Sequence, residues 1–360
     1  MKVLFTFYVP SGGLETLNRL RCHTLLQGGI QGHLLYTQHG AGIQNNVNNI
    51  PTLITNLDEQ IQALLDEHQY TAIFVSSDYL MLRRIRTLGY RGPLIFEAQG
   101  LGMHSTAEQT MLEALPFLRD YANGVLLPAT SHLIEMFEHH CPWLPRFSFP
   151  NVINASTFHY QARAPLPYPV LAWVGRLEKN KNWKHFLEIG SSLTKLIPAL
   201  QLWMFADPNI YIEEERKQFE PMIDKLGLRN KLTIRNNVPH ADMMTYFSMV
   251  GDSGGLLLST SILEGFGYAV AEAMCCRCPV LSTDSDGVRA FIIHNQTGMY
   301  YRHGNIQQAV QGGMRLMTDQ RLRASIRDAG VAHIRTHFSP DLYLKQFTKM
   351  LAQLPLHVEP

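Results

Sequence analysis

The sequence lacks the features that would place the protein in a membrane or on nucleic acid. No run of residues approaches the roughly 18 apolar residues that a membrane-spanning helix needs. Residues 3–7 form an apolar stretch near the N-terminus, but no signal-peptide cleavage pattern accompanies it. Lysine and arginine total 31 and aspartate and glutamate total 30, so no excess of positive charge is present to attract nucleic acid. We therefore expect a soluble, cytoplasmic protein without a nucleic-acid partner.

Cysteine is also scarce, with five residues in a chain of 360. Three of them, Cys275, Cys276 and Cys278, lie close together, whereas Cys22 and Cys141 stand alone. This spacing supplies neither a disulfide framework nor the second paired cluster of a zinc finger. We expect buried, inert thiols in a reducing compartment.

What the sequence does contain is the composition and the alternating pattern of a two-domain α/β protein. Hydrophobic residues make up 46% of the chain and charged residues 17%, and the length exceeds that of one typical domain. Short apolar runs alternate with longer helical stretches, which is typical of βαβ units around a parallel sheet. The elements predicted in the first half are a helix over residues 15–27 and strands over residues 3–7, 33–37, 72–76, 93–96 and 124–128.

A second alternating series follows a proline-rich segment. Residues 161–169 contain three prolines, which resist helix and interior strand, and are predicted to link two domains. The strands predicted after this segment are residues 170–174, 200–205, 232–234, 255–258 and 279–282. Two Rossmann-like domains are predicted, over residues 1–160 and over residues 161–340. A helical pattern that begins at residue 340 predicts a C-terminal helix over residues 341–360, which would complete the first domain.

Most of the predicted chemistry lies directly after the strand predicted over residues 255–258. Gly265 and Gly267 flank Phe266 at the start of a helix, where backbone amides can approach an anion. Glu264 lies in the turn and Glu272 about two helical turns later, so both carboxylates can face one opening and accept hydrogen bonds from hydroxyls. The segment predicts binding of a phosphate or a sugar. The alternative is that Glu264 only stabilises the start of the helix while Glu272 is a solvated surface residue.

The same segment resembles the retaining group 1 glycosyltransferases of GT-B fold, which are similar to glycosyltransferase family 4. The resemblance rests on Glu264 and Glu272 with seven residues between them, on the embedded Glu-Gly-Phe-Gly, on the later Glu-Ala-Met, and on Pro279 followed by Val280. Nearly the whole chain fits the family's order of parts. The matching parts are a glycine loop at residues 11–15, an interdomain entry at residues 150–153, and a Gly-Arg-Leu phosphate motif at residues 175–177 with Lys181 after it.

The resemblance implies a GT-B fold in which two Rossmann-like domains with parallel sheets face a central cleft, and it implies roles for individual residues. The implied catalytic residues are Arg176 and Lys181, which would hold the donor diphosphate, and Glu264, which would hold the transferred sugar. The implied donor-binding residues are Gly12, Gly13, Gly265, Phe266, Gly267 and Glu272, the last of them on the ribose hydroxyls. Physically, fixed cations stabilise the negative charge that a departing nucleoside diphosphate gains. The alternative for the two cations is a solvated surface cluster with neighbouring charged residues.

The sequence departs from the family pattern at several positions. Asn182 follows Lys181 where the family usually has glycine, and asparagine can still adopt the left-handed conformation that glycine favours. Many members carry a histidine after the fourth N-terminal strand, near the reacting sugar. This chain instead offers Glu97, Gln99 and His104 there as candidate contacts to sugar or acceptor.

The predicted function is retaining transfer of a sugar from a UDP- or GDP-sugar to a hydroxyl of a glycan, a lipid-linked acceptor or a small molecule. The resemblance implies that the acceptor attacks the face from which the diphosphate leaves, with a donor phosphate oxygen accepting its proton. No metal and no cofactor are expected, because the two cations could replace a metal and because Asp284 and Asp286 do not stand in a metal-binding setting. The donor would lie on the C-terminal domain and the acceptor on the N-terminal one.

Other functions remain open at this point. A nucleotide-sugar epimerase of related fold and a non-catalytic sugar-nucleotide-binding protein are the alternatives, whereas residues 10–15 lack the Gly-x-Gly-x-x-Gly of a dinucleotide-dependent oxidoreductase. Arg83, Arg84, Arg86 and Arg91 form a basic run that would suit peripheral contact with the inner face of a membrane. The same run is also typical of a solvated helix face.

Overall fold

Two α/β units divide the chain in the structure, a computed structural model that describes residues 1–47, 49–100 and 104–354 and the side chains of all of these except 104–106. The first unit comprises Met1–Ile153 together with residues 338–354, and the second comprises Asn154–His337. The predicted boundaries were residues 160/161 and 340/341. Residues 161–169 contain no helix or strand, but they belong to the second unit and are not a junction between units, because the amide of Gln161 donates to Ser248 Oγ and the amide of Leu166 to Ser253 Oγ.

The first unit is built on a parallel sheet of seven strands in the order β3-β2-β1-β4-β5-β6-β7. Its strands are β1 Lys2–Phe7, β2 Gln31–Tyr36, β3 Thr52–Ile54, β4 Ala72–Ser76, β5 Leu94–Glu97, β6 Gly124–Leu127 and β7 Arg146–Ser148. Its helices up to residue 153 are α1 Gly12–Gln27, α2 Asp58–His68, α3 Tyr79–Thr87, α4 His104–Tyr121 and α5 Ser131–His140. The central strands are buried along their whole length because helices cover both faces of a parallel sheet.

The second unit repeats this architecture on six parallel strands in the order β10-β9-β8-β11-β12-β13. Its strands are β8 Val170–Val174, β9 Gln201–Ala206, β10 Leu232–Asn236, β11 Leu256–Ser259, β12 Val280–Thr283 and β13 Met299–Tyr301. Its helices are α6 Trp183–Leu196, α7 Glu213–Lys225, α8 His240–Asp252, α9 Tyr268–Cys275, α10 Ile306–Thr318 and α11 Gln320–His337. The predicted fold class, two Rossmann-like units with parallel sheets, is confirmed.

After the second unit the chain returns to the first as α12, Pro340–Gln353. Ser339 caps this helix by accepting a hydrogen bond from the amide of Leu342, and Pro340 stands in the first turn, where a missing N–H costs little. Phe347 of α12 lies with its ring centroid 5.1 Å from that of Phe74 on β4 and 6.1 Å from that of Phe5 on β1. The helix therefore completes the core of the first unit.

All five cysteines are free and buried, as the sequence predicts. Burial raises the pKa of the Cys22, Cys275 and Cys278 thiols to about 12, which keeps them protonated and unreactive at neutral pH. Within the described ranges, no helix is both long enough and apolar enough to span a bilayer.

Protonation of the buried His33 on β2 should lower the stability of the protein in mild acid. Burial, together with the nearby His68 and Lys2 charges, lowers the pKa of His33 to about 4 from 6.5, and Nδ1 forms a 2.8 Å hydrogen bond with the Tyr70 hydroxyl. Since the unfolded chain binds this proton more readily, the His33 contribution is fully present above pH 6.5 and is lost as the pH falls towards 4. We expect the free energy of unfolding, measured with urea, to fall over this window, and His33→Leu to flatten the slope. The exposed His39→Gln should keep the wild-type slope, and an unchanged slope in His33→Leu would contradict the assignment.

Candidate functional site

The candidate site lies at the carboxyl ends of β8 and β11, where the strand order of the second sheet reverses. These neighbouring strands pair in parallel, and the chain proceeds from β8 outward to β10 on one side and from β11 outward to β13 on the other. In open α/β sheets, ligands bind in the crevice that this reversal opens outside the carboxyl ends of the strands. Both segments singled out from the sequence, residues 175–181 and residues 260–267, leave the sheet at this position.

The loop after β8 begins with a glycine that cannot be replaced without movement. A Cβ at Gly175 would lie 2.7 Å from ring atoms of Trp173, which is closer than carbon atoms approach one another. Arg176 follows it with a half-exposed side chain, whose Nη2 lies 3.2 Å from Oε1 of the nearby Glu178. The guanidinium is therefore accessible to an anion.

Lys181 and Glu264 meet across the two loops. Lys181 Nζ donates to Glu264 Oε1 at 2.5 Å, and Ser261 Oγ donates to the same oxygen at 2.6 Å. The two charged side chains are only 21% and 15% exposed, so this is a partly buried pair and not a solvated surface contact. The structure thus brings together two of the three residues predicted to be catalytic.

Backbone and amide hydrogen bonds hold the two loops against each other. Asn180 Nδ2 donates to the Leu263 carbonyl at 2.9 Å, and its Oδ1 accepts from the Leu263 amide at 3.1 Å. Thr260 Oγ1 donates to the Lys181 carbonyl at 2.8 Å. Asn182 adopts the left-handed conformation with φ +53°, as predicted, and begins the turn into α6. Lys181 is therefore presented by a rigid turn.

The turn at residues 265–267 leads into α9. Gly267 has φ +89°, and a Cβ there would lie 2.9 Å from Val288 Cγ1, so both the backbone conformation and the packing require glycine. The Glu264 amide donates to the Ser285 carbonyl at 2.8 Å, which fixes the residue between the turn and the loop after β12. The Phe266 ring is buried 4.8 Å from that of Phe291, so any donor contact by Phe266 falls to its backbone.

Glu272 lies on α9 and pairs with a histidine that the sequence analysis did not select. His240 Nε2 lies 2.6 Å from Glu272 Oε1, and the two side chains are 15% and 11% exposed. The alternative considered from the sequence, that Glu272 is a solvated surface residue, is therefore wrong. The pair joins the first residue of α8 to α9.

The predicted site residues of the first unit fall at the ends of β1 and β5. Gly12 has φ +66° at the start of α1, directly before Gly13, and a Cβ at Gly12 would meet no atom within 4 Å. His104 begins α4, but its side chain lies outside the described residues.

Glu97 is a buried structural ion-pair partner. Its carboxylate is 0% exposed, with Oε1 2.6 Å from Arg21 Nη1 and Oε2 accepting from Ser76 Oγ at 2.5 Å. The structure therefore argues against Glu97 as a direct ligand contact, because protein groups enclose both of its oxygens. Gln99, which is partly exposed, donates to Glu97 Oε1 at 2.9 Å and exchanges hydrogen bonds with Asn151.

Acidic residues in the loop after β12 are engaged by an arginine. Arg289 Nε lies 2.7 Å from Asp284 Oδ1, and its Nη1 lies 3.0 Å from Asp286 Oδ1. Across the described ranges, no group of three or more histidine, cysteine, aspartate or glutamate side chains is placed to hold a metal ion.

The loop of residues 175–181, which carries Arg176 and Lys181, lies beside the Glu-Gly-Phe-Gly turn of residues 264–267 at the reversal point of the second sheet. Together with the first Rossmann-like unit, these features are typical of a GT-B protein. Residues 156–333 match the model of the family described as glycosyl transferases group 1. This match assigns the second unit, Asn154–His337, to the group 1 glycosyltransferases.

Individual relatives agree with this assignment. The chain is 26% identical over 161 residues to "Glycosyltransferase 1 domain-containing protein 1" of Xenopus tropicalis, covering 43% of this chain and 45% of the relative. It is 27% identical over 158 residues to "Alpha-D-kanosaminyltransferase" of Streptomyces kanamyceticus, covering 43% and 38%. The match thus spans less than half the length of either curated relative.

The fold likeness extends over the whole chain. The crystal structure of Anabaena HepE in complex with UDP-glucose matches with a TM-score of 0.84 and 17% identity, covering 98% of this chain and 100% of that one. At this identity the likeness shows the fold. It includes both units, whereas the family match covers the second alone.

Proposed function

We propose that the protein is a retaining, metal-independent glycosyltransferase that takes its sugar from a nucleotide-diphosphate donor. The observation that carries the proposal is the Lys181–Glu264 pair at the reversal point of the second sheet, with Arg176 accessible on the same loop as the lysine. Cation and carboxylate side by side match the two parts of such a donor, the diphosphate and the sugar hydroxyls. The match of residues 156–333 to the group 1 glycosyltransferases supports the same assignment.

In this proposal, Arg176 and Lys181 bind the diphosphate. The leaving nucleoside diphosphate gains negative charge as the glycosidic bond breaks, and positioned cations stabilise that charge in the transition state. Glu264 accepts hydrogen bonds from hydroxyls of the transferred sugar. The amides of residues 265–267 face the same sugar.

The retaining outcome follows if the acceptor hydroxyl attacks from the face that the diphosphate leaves, with a phosphate oxygen accepting its proton. No protein nucleophile is then needed, which agrees with the engagement of Glu97 by Arg21 and Ser76. A UDP-sugar is the first donor to test, since HepE was crystallised in complex with UDP-glucose, and a GDP-sugar is the second. The acceptor is a glycan, a lipid-linked compound or a small hydroxyl compound, and the first unit binds it. The reaction would serve polysaccharide biosynthesis in the cytoplasm or at the inner face of the membrane.

Two arginines of the basic run in the first unit make contacts within the protein. Arg84 pairs with Asp58 at 2.6 Å, and Arg86 donates to the carbonyls of Tyr90 and Gly92. These contacts use the two guanidinium groups within the protein. Peripheral membrane contact through the basic run would therefore depend on Arg83 and Arg91.

A donor panel tests the function directly. We expect one or more UDP- or GDP-sugars to raise the thermal midpoint of unfolding, because ligand binding to the native state stabilises it by mass action. Incubation of the stabilising donor with hydroxyl acceptors in the presence of EDTA should yield a glycoside of retained anomeric configuration. An altered sugar nucleotide formed without acceptor would favour the epimerase, and binding without any turnover would favour the non-catalytic protein. Failure of every donor to bind would overturn the proposal.

A further inference from the structure

The hydrogen bond between His240 and Glu272 restrains the orientation of the Glu272 carboxylate. The imidazole Nε2 and the carboxylate Oε1 are 2.6 Å apart, a distance typical of a short, charge-assisted hydrogen bond. Both side chains are mostly buried, so water competes weakly for either partner. The contact therefore restrains the Glu272 carboxylate more than an exposed ion pair would.

The fold fixes the imidazole from its other side as well. His240 is the first residue of α8 and follows Pro239, whose ring restricts the backbone at the helix start. The His240 ring lies against the Phe158 ring, with centroids 4.7 Å apart and planes inclined by 36°. Helix start and aromatic contact together limit the rotamers available to the histidine.

A carboxylate held in this way offers its second oxygen in a fixed direction. The hydrogen bond with His240 uses Oε1 of the Glu272 carboxylate, and the Glu272 side chain is 11% exposed. Oε2 can then accept a hydrogen bond from a hydroxyl. A rotating carboxylate would lose conformational entropy on binding, and the histidine removes this cost in advance.

We propose that His240 is a positioning residue that orients Glu272 for the ribose hydroxyls of the bound nucleotide. The inference rests on the proposed function, which supplies the nucleotide. His240 itself does not touch the ligand; it acts through the carboxylate. Its removal should therefore affect recognition of the ribose more than recognition of the phosphates.

Nucleotides with and without the 2′-hydroxyl test this inference. The better bound of UDP and GDP is titrated calorimetrically beside its 2′-deoxy counterpart, into the wild type, His240→Ala and His240→Gln. We expect His240→Ala to weaken binding of the ribonucleotide about tenfold and of the deoxynucleotide far less, since hydrogen bonds to charged groups contribute at this level. His240→Gln retains an N–H donor and should recover most of the discrimination. With the full donor, KM should rise while kcat changes little.

The controls separate a positioning role from a structural one. His68→Ala removes a histidine that lies 3.8 Å from Glu67 in the first unit, and it should leave both affinities unchanged. Equal weakening of the two nucleotides by His240→Ala, or no weakening, overturns the inference, as does a wild type that does not discriminate between them. A wild type that binds neither nucleotide overturns the proposed function as well, so the two failures are distinguishable.

Discussion

Lys181→Met is expected to lower kcat about 100- to 1,000-fold with the donor in excess, the range seen when one preorganised group that stabilises transition-state charge is removed. The lysine ammonium is held at 2.5 Å from Glu264 by a loop tied to the neighbouring turn through Asn180 and Thr260, so it needs no reorganisation when the diphosphate departs. Methionine keeps the length and apolar stem of the side chain but removes the charge. Initial rates of glycoside formation at saturating donor measure the effect.

Two further variants sharpen this result. Glu264→Gln should also lower kcat/KM, because an amide accepts hydroxyl hydrogen bonds less strongly than a carboxylate and no longer pairs with the lysine. Lys217→Met removes an exposed lysine elsewhere in the second unit, 3.9 Å from Glu213, and should remain fully active. Near wild-type rates in Lys181→Met would refute the assigned role of the cation.

Arg21→Leu should cost about 3–5 kcal/mol of unfolding free energy in the first unit, because it leaves the Glu97 carboxylate buried without its cation. Both side chains of this pair are 0% exposed, and the guanidinium also lies 3.6 Å from the centroid of the Phe5 ring. Urea unfolding followed by tryptophan fluorescence and circular dichroism measures the change, with separate transitions allowed for the two units.

The double variant Arg21→Leu/Glu97→Leu should recover part of the loss, because two apolar side chains leave no buried charge. Arg84→Ala breaks a partly exposed pair with Asp58 and should cost no more than about 1 kcal/mol. A loss in Arg21→Leu as small as that in Arg84→Ala would show that the buried pair contributes little.

The sequence predicted the central strands because their apolar runs are continuous. Residues 72–76 and 170–174 coincide with β4 and β8, each buried along most or all of its length. The strands that were missed, β3, β7 and β13, have three residues each and lie at sheet edges. Three residues are too few to establish a period, and an edge strand is less buried, so composition gave no signal there.

The site could be predicted only as far as its residues are close in sequence. The turn around Glu264 and the loop carrying Lys181 were recognisable, whereas His240 lies 32 residues before its partner Glu272 and no local pattern links them. Arg21 left a signal that was not used: it stands four residues after Leu17 and four before Leu25, on the apolar stripe of α1. A charged residue on such a stripe needs a buried partner.

The return of α12 to the first unit sets the order in which the two units can mature during translation. The second unit is one uninterrupted segment, whereas the first is assembled from two stretches separated by the whole of the second. Until the ribosome delivers residues 340–353, the surface around Phe5 and Phe74 lacks the ring of Phe347 that covers it. The second unit can therefore complete its folding before the first unit does. Until α12 is synthesised, the first unit exposes an apolar face that chaperones can bind.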